Sequence, residues 1–366
     1  MKKLFLFFAI LTILQANAQL TTPPSGGNKK ASVSERIGIT DVTIHYDRPG
    51  VKGREGKIWG TLVPYGFNDL GFGTSKAAPW RGGANECTTI EFSTDVKING
   101  QALPAGKYGF FIAVGKDKST AIFSHNSTAW GSFFYKPEED ALRVDIEQQP
   151  MDKTVEWLKY EFLNETENSA TVALEWEKLM FPFKVEVDLG ATQVASFKKE
   201  LQMQVGFDWK AYVEAVNWCV AHNVNLEQAL AWADYSITAQ FIGEKNFQTL
   251  TAKASVLKAM GKDADAAAVM QEALPMGKVG EVHAYGRQLL AAGQKDAAIK
   301  VFTDNYKKFP NTFTTNVGMV RAMNADGKPK EALKYAQAAL AQAPDPANKA
   351  SVEGMIATLQ KGELLK

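Results

Sequence analysis

The feature that most constrains this chain is a change of hydrophobic period at about Gly190. Before it, apolar residues recur every second position in short runs such as VTIHYD, STAIFSH and FPFKVEVDL, rich in β-branched and aromatic side chains and bounded by turn formers. That period belongs to strands with one face buried. After Thr192 the period becomes 3.6, in segments rich in Ala, Leu, Lys and Gln separated by Gly- or Pro-bearing turns, which is the pattern of amphipathic helices. A chain of 366 residues with 45% hydrophobic content can bury two such cores. The expected fold is therefore multidomain, all-β then all-α: an antiparallel β-sandwich or jelly-roll-like domain over residues 32–189 and a helical domain over 192–366.

The β half predicts roughly nine strands. Asn99-Gly100 marks a hairpin, and in the turn NGQALPAG (Asn99–Gly106) Pro104 with Gly106 marks a second tight reversal before KYGFFIAVG. ATVALEWEK and FPFKVEVDL read as two successive strands. Residues 19–31, QLTTPPSGGNKKA, read as a flexible leader. The first eighteen residues have the form of an export signal: Lys2 and Lys3, an apolar run from Leu4 to Leu14, then Ala16-Asn17-Ala18 at the cleavage position. An eleven-residue run is too short for a hydrocarbon core that needs about 20 residues. The expected localisation is the cell envelope or periplasm, with a mature chain that is not inserted in a membrane.

Within the helical half, three segments align on their first glycine, Gly261, Gly293 and Gly327, at intervals of 32 and 34 residues. Each has a small residue five positions on (Ala266, Ala298, Ala332) and another packing residue four further (Met270, Phe302, Ala336). The pattern resembles the tetratricopeptide repeat, with a period of about 34 residues and paired helices that need small residues where they cross. A degenerate unit spans Asp208–Ile237, and Lys349–Gly362 reads as a capping helix. The resemblance implies a tetratricopeptide-like solenoid whose surface takes a peptide or protein partner, or one that braces the β-domain.

The least regular stretch of the β half runs from Arg48 to Glu86, with nine glycines, Trp59 and Trp80, and no helix or strand period. Spaced aromatics predict that it is packed down rather than loose. Arg54, Trp59, Tyr65, Trp80, Arg81, Asn85 and Glu86 are its candidate ligand-binding residues, because guanidinium forks hold carboxylates and phosphates while flat rings stack on sugars. The alternative is a structural clasp, in which an Arg81–Glu86 pair ties the loop to the sheet and both tryptophans are core. The order Gly53-Arg54, Ile58-Trp59-Gly60, Leu62-Val63-Pro64-Tyr65-Gly66, Trp80-Arg81 and Gly83-Ala84-Asn85-Glu86, continued by Leu103–Phe111 and Trp130-Gly131, resembles domain-of-unknown-function family 2911, exported bacterial domains, over about residues 32–188. Against that family's spacing, Phe67–Pro79 reads as a local insertion, and the resemblance implies no activity.

Several function classes are disfavoured. Lys plus Arg (41) balances Asp plus Glu (40), which leaves no footprint for nucleic acid. Four scattered histidines and two cysteines give no metal spacing, and Cys87 and Cys219 read as unpaired thiols rather than a bridge between domains. No glycine pair stands in a strand–loop–helix setting and no serine in a nucleophile elbow, so no cofactor is called for. The one enzymatic alternative is a carbohydrate-active hydrolase using Glu86 with a second carboxylate, Asp47 or Glu91. The expectation is a non-catalytic envelope binding protein, with a purely structural scaffold as the other alternative.

Overall fold

A computed structural model describes residues 27–365; the expected signal and most of the leader lie outside the described residues. The chain divides into two compact units, one ending at Thr192 and the other beginning at Gln193, with helix α1 (Leu189–Glu200) running through the division.

The first unit is built from two antiparallel sheets. One has the strand order β1 (Lys29–Ile37), β2 (Thr40–Arg48), β3 (Thr89–Phe92), β6 (Gly106–Ala113), β7 (Lys118–Ser124), β8 (Asp140–Glu147). The other has the order β5 (Gln101–Leu103), β4 (Val96–Ile98), β10 (Ser169–Glu186), β9 (Gln149–Leu163). Alternation decides which side chains face inward. On β2, Val42, Ile44 and Tyr46 point into the core with Phe110, Ile112 and Phe123 of β6 and β7, and Leu158, Trp176 and Phe183 meet them from the opposing sheet. The core thus lies between the sheets, as a sandwich requires.

Three departures from the sequence reading have local causes. β1 starts at Lys29, not Ser32: Lys29, Lys30 and Ala31 pair with Arg48, Asp47 and Tyr46, so the last three leader residues are strand. Gln101–Leu103 is not turn but strand β5. Asn99 (φ 46°) and Gly100 (φ 82°) make the whole reversal in two residues, as a primed turn demands, and the chain returns along β4 at once. ATVALEWEK and FPFKVEVDL are one strand, β10, broken in register on either side of Glu177, which sits at φ 52°. A bulge, not a turn, separates the two apolar runs.

The second unit is a series of helical hairpins: α2 (Trp209–His222) with α3 (Leu226–Thr238), α4 (Phe247–Ala259) with α5 (Asp263–Ala273), α6 (Val279–Ala291) with α7 (Lys295–Lys308), and α8 (Phe313–Ala325) with α9 (Pro329–Leu340), followed by α10 (Pro346–Gln360). Gly261, Gly293 and Gly327 each stand between the two helices of a hairpin at φ of 73°, 72° and 73°, a left-handed turn that a side chain would strain. Ala266, Ala298, Ala332, Met270, Phe302 and Ala336 are all buried, so the aligned repeat positions are the packing positions. Several starts are capped by side chains: Asp208 accepts from the Lys210 N–H, and Asn246 and Thr312 form capping boxes with Thr249 and Thr315.

Candidate functional site

The Arg48–Glu86 segment is bonded down at nearly every step. Its start runs beside β9: the Val51 N–H donates to Glu156 O (2.8 Å), and the Arg48 guanidinium donates to Leu158 O (2.7 Å). Arg54 turns back on its own loop, donating to Val51 O (2.9 Å) and Gly50 O (2.6 Å). Val51, Ile58 and Val63 are buried in the core. Tyr65 stays partly exposed, and the insertion from Phe67 closes on itself through paired Asn68 and Ala78 main-chain bonds of 3.0 and 2.8 Å, while Phe72 packs edge-on against Phe133 at 5.2 Å.

Trp59 and Trp80 meet edge to face at 5.7 Å, and both pack against Trp176 and Phe181 of β10. The polar anchor of this cluster is Glu177, which the sequence reading did not single out. It is only 6% exposed, and one oxygen accepts from the Gly56 N–H (3.2 Å) while the other accepts from Trp59 Nε1 (3.1 Å) and the Lys178 N–H (2.8 Å). The bulge at Glu177 turns its carboxylate toward the loop. Periodicity conceals this, since on an unbroken strand the residue beside Trp176 would point away.

The seven candidate residues do not form one pocket. Trp80 bridges Ile112 and shares its core-facing side, whereas Arg81 lies beside Phe133 and beside Cys87, which packs against the separate cluster of Phe111, Ile122 and Tyr135. Successive residues in extended chain point to opposite faces, so the aromatic and the basic halves of the expected pocket are parted. Arg81 donates to Asn85 O (2.6 Å), and its guanidinium lies 4.8 Å from the Phe133 ring centre. The expected Arg81–Glu86 pair is not formed. Glu86 is exposed and held by Lys30 at 2.7 Å, and Asn85 Oδ1 accepts from Asn28 Nδ2 (3.2 Å). Burial lowers the pKa of Arg81 and pushes the Cys87 thiol up to about 11, which makes it a poor nucleophile.

Asp47 is 3% exposed, and burial holds its carboxyl above the usual carboxylate range against the opposing pull of Lys30. Asp47 is covered by its neighbours and cannot touch a sugar, while Glu91 on β3 is exposed and Glu86 is engaged by Lys30. Cys87 and Cys219 are both free.

Cavities occur in the second unit. A space of about 500 Å³ between α5, α6 and α7 is floored by Met270, Val282, Leu289 and Val301. A second of about 500 Å³, between α4, α5 and α6, shares Met270 and Leu289 with it, and a third of about 330 Å³ opens along α2, α4 and α6. Tyr285 lines all three, so they adjoin at its side chain as the Tyr285 trough. Two buried polar atoms of the lining lack hydrogen bonds: Asn305 Oδ1, whose amide nitrogen donates to Val279 O (3.0 Å), and Thr251 Oγ1. Apart from Met270, a packing position of the repeat, none of these residues stands out in sequence, because each is an ordinary helix residue until neighbouring hairpins bring them together.

The motif order along the first unit now has a structural meaning, since it follows the clasp from Arg54 to Glu86 and on to Gly131. Residues 28–185 match the model of a family described as "Protein of unknown function (DUF2911)". The match ends one residue before β10 does and leaves the helical hairpins outside it. No curated protein matches the chain.

Proposed function

We propose that this chain is a non-catalytic binding protein of the cell envelope, exported by its N-terminal segment, whose helical unit engages an extended peptide or protein segment. The observation that carries this reading is the trough around Tyr285. It combines an apolar floor (Met270, Leu289, Val301) with side-chain amides of Asn217, Gln271 and Gln288 along its length and two buried polar atoms without partners. An apolar floor takes side chains, and amides take main-chain N–H and C=O groups whatever the sequence. A buried polar group left unpaired costs about 1–3 kcal/mol, which a bound ligand recovers when the side chain turns toward it. The repeat spacing supports the same reading, since hairpins of the tetratricopeptide type commonly present such surfaces. Among the described residues no helix is long and apolar enough to cross a membrane.

In this reading the Arg48–Glu86 segment is a clasp, and the first unit is a rigid platform. Selection of displayed random peptides on the full chain tests the proposal, repeated with Ala267→Trp, which fills the trough where its two larger cavities meet. Peptides enriched on the native chain and lost on the folded variant support it. Equal enrichment on both refutes it.

A further inference from the structure

Each sheet of the first unit has two edges, and three of the four are covered or short. β9 is met at its middle by the start of the clasp, where the Leu158 N–H donates to Pro49 O (3.1 Å) and Glu156 O accepts the Val51 N–H (2.8 Å). β8 is met by Asn99, whose Nδ2 donates to Asp145 O (3.1 Å). β5 is only three residues long. The fourth edge, β1, runs for nine residues, and among the described residues its main chain bonds to β2 alone. An open edge of that length pairs readily with another strand, which is why folded proteins commonly block such edges.

The two-residue turn between β1 and β2 fixes which atoms are free. Ile37 and Thr40 flank it, and a pair in that position exchanges both main-chain bonds. Bonded pairs then recur at every second residue, through Glu35, Val33, Ala31 and Lys29. Lys30, Ser32, Ser34 and Arg36 therefore turn their N–H and C=O groups to the open side. Alternation also sorts the side chains. Ala31 and Val33 pack on the core, so Lys29 and Glu35 share their inward face near the two ends of the strand. On the outward face the cations are already tied within the chain, Lys30 to Glu86 (2.7 Å) and Arg36 to Asp41 (2.7 Å). Lys29 rests on the Trp157 ring, 5.1 Å from its centre, a contact that leaves the ammonium able to take a carboxylate as well.

We propose that the β1 edge is a self-association surface, on which a second copy of this chain adds its own β1 in antiparallel register about a two-fold axis at Ser32. That register brings the free N–H and C=O groups of Ser32 against those of Ser32 in the second copy, and those of Lys30 against Ser34, giving about six main-chain bonds. It sets Ala31 beside Val33 on the core side and Lys29 opposite Glu35 at both ends. A slip of one residue would turn inward side chains outward. A shift by one pair in one direction opposes Lys30 to Arg36 and Ala31 to Glu35, and in the other direction leaves Glu35 opposite Gly27, beyond the strand. Inward-facing charges at an edge deter pairing with an arbitrary strand, whereas here they match a second copy. The surface goes beyond the peptide reading, since it lies on the first unit and its partner is the same chain.

Sedimentation velocity of the full chain over micromolar concentrations tests the proposal, and the expected result is a reversible monomer–dimer equilibrium. Ser32→Pro removes an N–H that the monomer does not use, so it should weaken the dimer at least tenfold with unchanged near-ultraviolet circular dichroism. Each charge reversal acts twice across a two-fold axis. Glu35→Lys and Lys29→Glu should each weaken the dimer at least tenfold, and the double reversal should restore it to within threefold of native. Amide exchange read by nuclear magnetic resonance should slow at least tenfold at Ser32 and Ser34 on passing from monomer to dimer. A chain that stays monomeric throughout, or a dimer equally tight in the folded Ser32→Pro variant, overturns the surface. A dimer in which the Ser32 and Ser34 amides exchange as fast as in the monomer overturns it too. A double reversal no tighter than either single one overturns the register.

Discussion

Replacing Glu177 by alanine should destabilise the first unit by about 3 kcal/mol. The carboxylate accepts three N–H groups, and only the Trp59 indole, packed between Trp80, Trp176 and Phe181, has no ready route to water. Stranding a donor of that kind costs about 1–3 kcal/mol, and the Gly56 and Lys178 amides, which solvent can reach, add about 0.5 kcal/mol each. For a unit of this size a loss of about 3 kcal/mol corresponds to a fall of roughly 6–12 °C in melting temperature. The left-handed backbone at Glu177 (φ 52°) supplies an internal control. Alanine removes the acceptor and keeps the strain, whereas glycine removes both, so Glu177→Gly should be about 1 kcal/mol more stable than Glu177→Ala. The assay is a thermal melt by near-ultraviolet circular dichroism. Hydrogen exchange of peptides from β9 and β10 would assign the transition to the first unit. An alanine variant that melts within 1 °C of the native chain, or a glycine variant less stable than the alanine one, refutes the argument.

The outward pair behaves differently. Glu86→Gln removes a solvent-exposed ion pair with Lys30 and should move the same transition by less than about 2 °C. Asp47→Asn should raise the melting temperature at neutral pH. Its folded pKa lies above the unfolded one, so the ionised form opposes folding once pH rises past that range; the gain should fade as pH drops below about 4, and a variant less stable than native at pH 7 would count against it. Burial, reinforced by Arg321 and Arg287, pushes His283 down to about 4. Its contribution to the helical unit is therefore present above about 6.5 and lost as pH falls toward 4, on the order of 2 kcal/mol after discounting for partial exposure. His283→Asn should flatten this acid limb in a pH series of melts, and an unchanged limb would contradict it. Gly131→Ala would put a Cβ 2.2 Å from Arg81 Nη1, so it should displace the guanidinium from Asn85 and cost about 1–3 kcal/mol by the same melt; a silent variant would show that Arg81 is not tied.

The sequence made legible whatever depends on period. The change from strands to helices near Gly190, the alternation on β2, and the spacing of Ala266, Ala298 and Ala332 all follow from which residues must leave water, and each is readable one element at a time. It did not make legible what depends on a break in period. Glu177 reads as an ordinary residue of a strand, yet a bulge makes it the anchor of the tryptophan cluster. Trp80-Arg81 reads as one motif, yet extended backbone sends the two side chains to opposite sides of a sheet. Tyr285, Thr251 and Asn305 carry no sequence signal, because a trough between hairpins is a property of stacking rather than of any one helix.

The contrast between the two units bears on where a partner binds. In the first unit the long irregular segment satisfies itself: Arg48, Arg54 and Arg81 donate to main-chain carbonyls, and Glu177 takes up the indole and amide hydrogens. Its unpaired buried atoms, Asp47 Oδ1, Thr88 Oγ1 and Trp176 Nε1 among them, are absent from the walls of every cavity described above. In the second unit Thr251 Oγ1 and Asn305 Oδ1 belong to residues that line cavities. An unpaired group sealed in a core can only lower stability, whereas one on a side chain that lines a cavity can turn toward a ligand and then contribute to affinity. By that criterion a stabilising substitution at Asp47 should leave binding untouched, while Asn305→Leu should lose binding even where it gains stability. The two classes of variant, measured for both properties, separate a platform from a binding surface.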